Sequence, residues 1–302
     1  MSRNQSAPYD VNGRTAFITG AARGIGAETA KRLHAKGANV ALVGLEPERL
    51  EQNAAALGER AIFIEADVTD LGALEAAVGT TVERFGGIDV AIANAGIAYT
   101  GALATTPVEN VERTLAVNML GVWRTDRAVI AEVAKRRGYL LNISSLSAIN
   151  HAPLMGPYTA AKAGVEALTD ALRMEMAPSG TQVGCAYFGF IDTDLVRASF
   201  AQPSAQTLTG KMPGFIRNPA PLSKAIDAIE LGIERRSARL WAPRWVGAMM
   251  IARGLLQPLS ERIALKDSAE LAAVMREAES SGEAEAQDPL LGVAAQALTP
   301  RG

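Results

Sequence analysis

Cysteine and histidine are nearly absent: Cys185, His34 and His151 are the only three in 302 residues. A single thiol excludes an intramolecular disulfide framework and a cysteine-based metal cluster. Two histidines argue against a zinc site as well, so no metal is expected. Charge of one sign is also lacking. Thirty basic residues stand against 32 acidic ones, a net of −2, which leaves no electrostatic footprint for nucleic acid. No window approaches the roughly 20 apolar residues that span a bilayer. Residues 1–10 are polar and lack the apolar run of a signal peptide. The expectation is a protein of the cytoplasm.

What is present is an ordinary globular composition, 48% apolar and 21% charged, in a chain long enough to bury a sizeable core. Short apolar runs alternate with longer helix-period stretches. Strands are expected at 15–19, 39–44, 61–65, 88–93, 139–143, 181–187 and 240–242. Helices are expected at 24–36, 47–57, 71–85, 107–137 and about 157–176, several of them stopped by glycine. Thr106 should cap the long helix, with Pro107 first and Glu109 third. Continuous apolar strands alternating with helices predict a doubly wound parallel sheet of about seven strands covered on both faces. Ligands then bind at the strand-to-loop junctions.

Domain limits follow from where this pattern starts and stops. An N-terminal arm (1–11) precedes an α/β domain at 12–245, and a mostly helical extension (246–302) follows. Residues 194–221 mix Pro, Gly, Ser and apolar side chains without a clean period. They suit either a lid over a substrate or an irregular surface insertion. The apolar stretch 245–259 is too short to cross a membrane. It suits packing on the body, on a partner subunit, or against a lipid surface. Residues 280–302, rich in Glu, Ala, Gly, Ser and Pro, are expected to be mobile.

Between the first strand and the first helix stands Thr19-Gly20-Ala21-Ala22-Arg23-Gly24-Ile25-Gly26. Glycines let the backbone turn tightly and approach a pyrophosphate, whose charge is favoured at a helix N-terminus. Asp67-Val68 ends the third strand, where the carboxylate can meet an adenine amino group. Asn94-Ala95-Gly96 ends the fourth and brings small residues to where a cofactor lies. A plain strand end and a plain turn are the alternatives.

Tyr158 and Lys162 lie four residues apart on one helix, so their side chains share a face. A phenol of ordinary pKa, about 10, is a poor base at neutral pH. A neighbouring ammonium favours the phenolate and is expected to lower that value, making the oxygen usable as a general acid or base.

These motifs, with Asn118 in Val117-Asn118-Met119 and Ser145 in Asn142-Ile143-Ser144-Ser145, resemble the short-chain dehydrogenase/reductase family in order and spacing over roughly residues 12–245. The resemblance implies a Rossmann-type domain, a nicotinamide cofactor, and hydride transfer between an alcohol and a carbonyl. It implies Tyr158 as general acid/base and Lys162 as the group that tunes it and holds the cofactor ribose. Ser145 would bond the substrate oxygen, with Ser144 as its rival, and Asn118 would support a water beside Lys162. Gly20, Arg23, Gly24, Ile25, Gly26, Asp67, Val68, Asn94, Ala95 and Gly96 would bind the cofactor, together with Gly189, Ile191 and Thr193 of the loop after the sixth strand.

The chain departs from the family pattern at two places. Phe188-Gly189 replaces the usual Pro-Gly, which puts that loop's path in question and, with Tyr187 and Phe190, suggests an apolar pocket rim. Gly44-Leu45 stands where NAD enzymes commonly carry Asp and NADP enzymes often carry Arg. Arg23 can pair with a 2′-phosphate but Glu46 opposes one, so NAD and NADP both stay open, with NAD favoured. His151 suits a solvated loop and Cys185 an inert core position. The expected function is an NAD(P)-dependent oxidoreductase interconverting a moderately bulky, apolar secondary alcohol and its ketone. The alternatives are a nucleotide sensor of the same fold, or a lyase or epimerase using the same tyrosine. By the resemblance, the helices at 107–137 and 157–176 would form a homodimer or homotetramer. The partner expected is a small-molecule substrate, with peripheral lipid contact by the extension left open beside its packing on the body.

Overall fold

The structure, a computed structural model, describes residues 8–210, 212–266 and 268–280. Seven parallel strands form one sheet in the order β3-β2-β1-β4-β5-β6-β7. They are β1 (Thr15–Thr19), β2 (Asn39–Gly44), β3 (Ala61–Glu65), β4 (Val90–Ala93), β5 (Tyr139–Ile143), β6 (Gln182–Phe188) and β7 (Arg239–Ala242). The order reverses between β1 and β4, and the crevice outside the carboxyl ends of these two strands is where such sheets bind ligands.

The inner strands are buried on both sides because helices cover both faces, while the edge strands β3 and β7 stay partly exposed. Ala16 and Ile18 of β1 point into one layer, and Phe17 between them into the other. The first layer is closed by α1 (Gly24–Ala35) and α10 (Leu222–Arg235), which bring Ala30, Leu33, Ile229 and Ile233 to it. The second is closed by α3 (Leu71–Phe85) and α5 (Gly121–Lys135), with Ala77, Val129 and Val133. Each fully buried Leu or Ile contributes about 1.5–3 kcal/mol. α2 (Pro47–Leu57) supports the edge beside β3, and α6 (Gly156–Met176) lies against β6.

Several expected elements are redrawn. The single long helix is α4 (Val108–Leu115), a π-helical turn (Ala116–Leu120) and α5. Thr106 does not cap it. Its hydroxyl donates to the Ala102 carbonyl at 2.8 Å, and Pro107 occupies the cap position. The segment after β6, expected to lack a period, holds α7 (Asp194–Phe200), α8 (Pro203–Gly210) and α9 (Gly214–Arg217), too short for a period to declare itself. Tyr187 and Phe188 belong to the core rather than a pocket rim; only Phe190 of the three stays partly exposed.

The extension consists of α11 (Arg244–Ile251), α12 (Arg253–Lys266) and α13 (Ser268–Ser280). Its apolar stretch is divided: Trp245 and Val246 pack inward, whereas Ile251, Leu255 and Leu259 are exposed. The expected mobile tail lies outside the described residues except for Ser280, as does the N-terminal arm up to residue 7. No described helix is long and apolar enough to cross a membrane.

One polar cluster is sealed between α5, β5 and α6. The Asn142 amide donates to Asp126 Oδ2 at 2.7 Å and to Thr169 Oγ1 at 3.0 Å, while Asn142 Oδ1 has no partner among the described residues. Burial pushes the Asp126 carboxyl up to about 7, with the Asn142 hydrogen bond opposing the shift. The folded chain therefore holds a proton that the unfolded chain loses above about pH 4. This contribution to stability is full below pH 4 and declines as pH rises to about 7. Asp126→Asn keeps the shape and adds a donor. Relative to wild type, the variant should gain on the order of 2–4 kcal/mol between pH 4 and pH 7.5 in urea titrations. A stability difference that does not change with pH would refute a neutral buried carboxyl.

Candidate active site

Six segments converge at the carboxyl ends of β1, β4, β5 and β6. The first is the glycine turn after β1. Gly20 and Gly24 have φ of +64° and +57°, which side chains rarely tolerate, and a Cβ on Gly26 would lie 2.7 Å from Asn94 Nδ2. The turn is stapled from β4: Asn94 Nδ2 donates to the Thr19 and Gly20 carbonyls at 3.0 and 3.1 Å, and Thr19 Oγ1 accepts from the Asn94 and Ala95 amides. Asn94 thus shapes the cradle with its own amide. Thr19, which opens the glycine-turn motif but is absent from the expected binding residues, proves to be the hinge of this staple. No acidic side chain lies in the first turn of α1, which leaves that helix end suited to an anion. A close-packed glycine turn and an uncontested helix N-terminus fit the pyrophosphate of a dinucleotide.

Arg23, at the cap position of α1, is already engaged. It donates through Nε to Glu46 Oε1 at 2.9 Å and through Nη2 to Glu46 Oε2, and Asp194 lies 3.9 Å away. Asp67, at the far side, accepts from the Thr69 amide at 2.8 Å, and Val68 is buried against the 95–97 segment. Ile25 is partly buried against the core behind the turn.

The π turn explains Asn118. Widening the helix by one residue turns this fully buried amide onto the β4 loop, where Oδ1 accepts from the Ile97 amide at 2.8 Å and Nδ2 donates to its carbonyl at 2.7 Å. π turns recur at functional sites. The position of a Gly96 Cβ would lie 3.0 Å from Asn118 Oδ1 and 3.8 Å from Lys162 Nζ, so the three residues are neighbours.

Lys162 is buried, and its ammonium donates to the Ile143 carbonyl at 2.8 Å. Burial draws its pKa down to about 8, opposed by the nearby Cys185. Nζ lies 5.7 Å from the Tyr158 ring centroid. The expected lowering of the Tyr158 pKa is not found. Although part of the residue is exposed, protein crowds its hydroxyl, and this desolvation raises the value; the hydrogen bond with Ser145 acts in the opposite direction. The two serines separate cleanly. Ser144 Oγ is spent on the Lys162 carbonyl at 2.9 Å, whereas Ser145 Oγ accepts from the Ser147 amide at 3.1 Å, makes a long 3.5 Å contact to the Phe188 carbonyl and is the serine that acts on the Tyr158 hydroxyl.

The loop after β6 is tied down at three points. The Gly189 amide donates to the Ala242 carbonyl at 2.9 Å, Ile191 bridges to Ala220, and Thr193 caps α7. Thr193 also lies above Gly24, 3.7 Å from where a Cβ would stand, so this loop faces the glycine turn. Phe190 and Phe200 stack edge to face at 4.8 Å. His151 is exposed, and Cys185 is buried with its thiol pushed up to about 11, too high for a ready thiolate.

The similarities to known proteins run the same way. A family model described as short chain dehydrogenase matches residues 14–204. A 2-(R)-hydroxypropyl-CoM dehydrogenase of Xanthobacter autotrophicus is 35% identical, over 63% of this chain and 79% of that protein. A 3-alpha-(or 20-beta)-hydroxysteroid dehydrogenase of Mycobacterium tuberculosis is 34% identical, over 61% and 71%. Among solved structures, a dehydrogenase/reductase from Sinorhizobium meliloti superposes with a TM-score of 0.69 at 29% identity, covering 77% of this chain and 94% of its own. An alcohol dehydrogenase from Thermococcus sibiricus, complexed with 5-hydroxy-NADP, gives 0.66 at 27% identity, over 76% and 95%. With the match spanning most of the sheet and every segment of the glycine turn, the chain belongs to the short-chain dehydrogenase/reductase family and is an NAD(P)-dependent oxidoreductase.

Proposed function

We propose that the protein interconverts a secondary alcohol and its ketone, with Tyr158 moving the proton at the substrate oxygen. The observation that carries this reading is the placement of Ser145 near the Tyr158 hydroxyl, with the buried ammonium of Lys162 5.7 Å from the Tyr158 ring centroid. When bound, the nicotinamide supplies or accepts the hydride. In this reading Ser145 polarises the substrate oxygen and Tyr158 exchanges its proton, while Lys162 would meet the cofactor ribose and Asn118 holds the β4 loop through Ile97. The relatives named for hydroxypropyl and hydroxysteroid substrates support a secondary alcohol. The aromatic pairs Phe190–Phe200 and Phe215–Trp245, both flanking the loop after β6, support a bulky apolar one.

NAD is the favoured cofactor. A 2′-phosphate needs Arg23, but Glu46 holds that guanidinium in a two-pronged pair and Asp194 adds a second carboxylate nearby. We take the assembly to be a homodimer or homotetramer of the cytoplasm, formed through the faces where Val108, Trp123 and Met174 are exposed.

A raised phenol pKa sets the direction of pH dependence. Neutral Tyr158 is ready to donate, so ketone reduction should hold steady from pH 6 to 8. Alcohol oxidation needs the phenolate and should rise through this range and beyond. Following nicotinamide absorbance with a panel of ketones and alcohols checks both arms. Tyr158→Phe should lower kcat by about 100- to 10,000-fold while cofactor affinity is kept. Cofactor binding without turnover across the panel would instead favour a nucleotide sensor.

For cofactor choice, wild type should prefer NAD over NADP by about tenfold or more in kcat/KM. Glu46→Gln, which frees Arg23, should raise NADP use by a similar factor. Equal use of both cofactors by wild type would overturn the assignment.

A further inference from the structure

The family match stops at residue 204, yet the chain continues through α12 and α13, and these helices are fastened to the mouth of the crevice. At its first turn, Arg253 of α12 grips the carboxylate of Glu166, a residue 6% exposed that lies one turn beyond Lys162 on α6; Nη2 stands 3.1 Å from Oε2. Two turns on, α12 is tied to the loop between β5 and α6. The His151 amide donates to Gln257 Oε1, and Ser260 Oγ donates to Asn150 Oδ1, both at 2.8 Å. The last helix, α13, then crosses to two other segments. Glu279 Oε1 accepts from Thr105 Oγ1 at 3.1 Å in the loop after β4. Val274 and Ala278, each 2% exposed, pack with Ala102, Leu154, Leu208 and Met275. These side chains come from the loop after β4, the loop after β5 and α8 of the segment after β6, with Met275 from α13 itself.

We propose that α12 and α13 form the outer wall of the substrate crevice, in the same chain, and decide which alcohols it admits. The three segments joined by α13 are the ones that leave the strand ends flanking Ser145 and Tyr158, so their spacing sets the width of the crevice. A helix that packs on all three fixes that spacing, and an apolar seam among them resists opening by the apolar area it would expose. The buried Glu166 makes the attachment directional. Detaching α12 would leave a carboxylate without its partner, a state more costly than the loss of an exposed pair. The wall thus selects for substrates whose bulk beyond the reacting carbon is apolar. This inference rests on the alcohol dehydrogenase reading for its substrate, though not for its contacts.

The test replaces both buried side chains, Val274→Arg with Ala278→Arg, in the full chain, with Val274→Ile as the conservative control. Neither position touches the glycine turn or Tyr158, so cofactor affinity by fluorescence titration should stay within about twofold and report that the body is intact. A wall grips the bound substrate and its transition state alike, and weakening such a grip raises KM more than it lowers kcat. The double variant should therefore raise KM for bulky apolar alcohols by about tenfold, lose discrimination against small ones, and keep kcat within about threefold; the control should match wild type. Hydrogen exchange supplies the second readout: residues 97–106, 149–156 and 203–210 should lose protection together in the double variant. Unchanged KM ratios, or loss of protection confined to α13, would overturn the proposal. If wild type turns over no alcohol or ketone, the activity reading fails, and the joint exchange of the three segments still decides whether α13 is their wall.

Discussion

A buried ammonium governs the architecture of the catalytic corner. Lys162 sits within the protein with its charge turned onto the Ile143 carbonyl, and the Ser144 hydroxyl holds the backbone of Lys162 in return. Burying a lysine carries a desolvation cost that only specific partners offset. The ammonium's partner is the last residue of β5, and the residue after it holds the Lys162 backbone. The end of a central strand is thereby locked to the first turns of α6, and Tyr158 and Ser145 inherit their relative position from that lock. The same burial that makes Lys162 easier to deprotonate makes Tyr158 harder to ionise, so desolvation acts on both members of the pair and in opposite senses.

The glycine turn shows how a polar strand end becomes a binding cradle. Asn94 and Thr19 exchange hydrogen bonds between the β1 and β4 loops, and this leaves no room for a side chain at Gly26. Across the crevice, Thr193 stands over Gly24, so the loop after β6 closes the far side although the usual proline is replaced by Phe188. Phe188 is accommodated because it lies in the core as the last residue of β6, paired with Ala242 of β7. The departure from the family pattern thus places an aromatic side chain in the core behind the loop.

Much of this was legible in the residues. Strands buried on both faces read as continuous apolar runs, and all but β4 fall where those runs begin and end or within one residue of them. That Tyr158 and Lys162 share one helix face followed from spacing, whereas Ser145 was placed beside them by the family resemblance. Features decided by tertiary partners were not legible. The π turn exists because Asn118 must reach Ile97, a residue 21 positions earlier, and nothing in the local pattern signals that demand. Thr106 has the chemistry of a cap, yet the Ala102 carbonyl claims its hydroxyl. The ionisation of Tyr158 runs opposite to the expectation because spacing reveals a neighbouring charge but not how tightly protein surrounds the oxygen. The helical character of the extension was legible, but its attachment to three separated segments depends on single contacts such as Arg253 with Glu166.

The position of α13 in the chain has a consequence for synthesis. The glycine turn, the lysine lock and the loop that faces them are all encoded before residue 194, whereas the helix that ties the crevice loops together begins at Ser268. On a ribosome the nucleotide cradle emerges first, and the tie across the three loops emerges last. Every residue of the nucleotide cradle is therefore made before the helix that ties the crevice loops together.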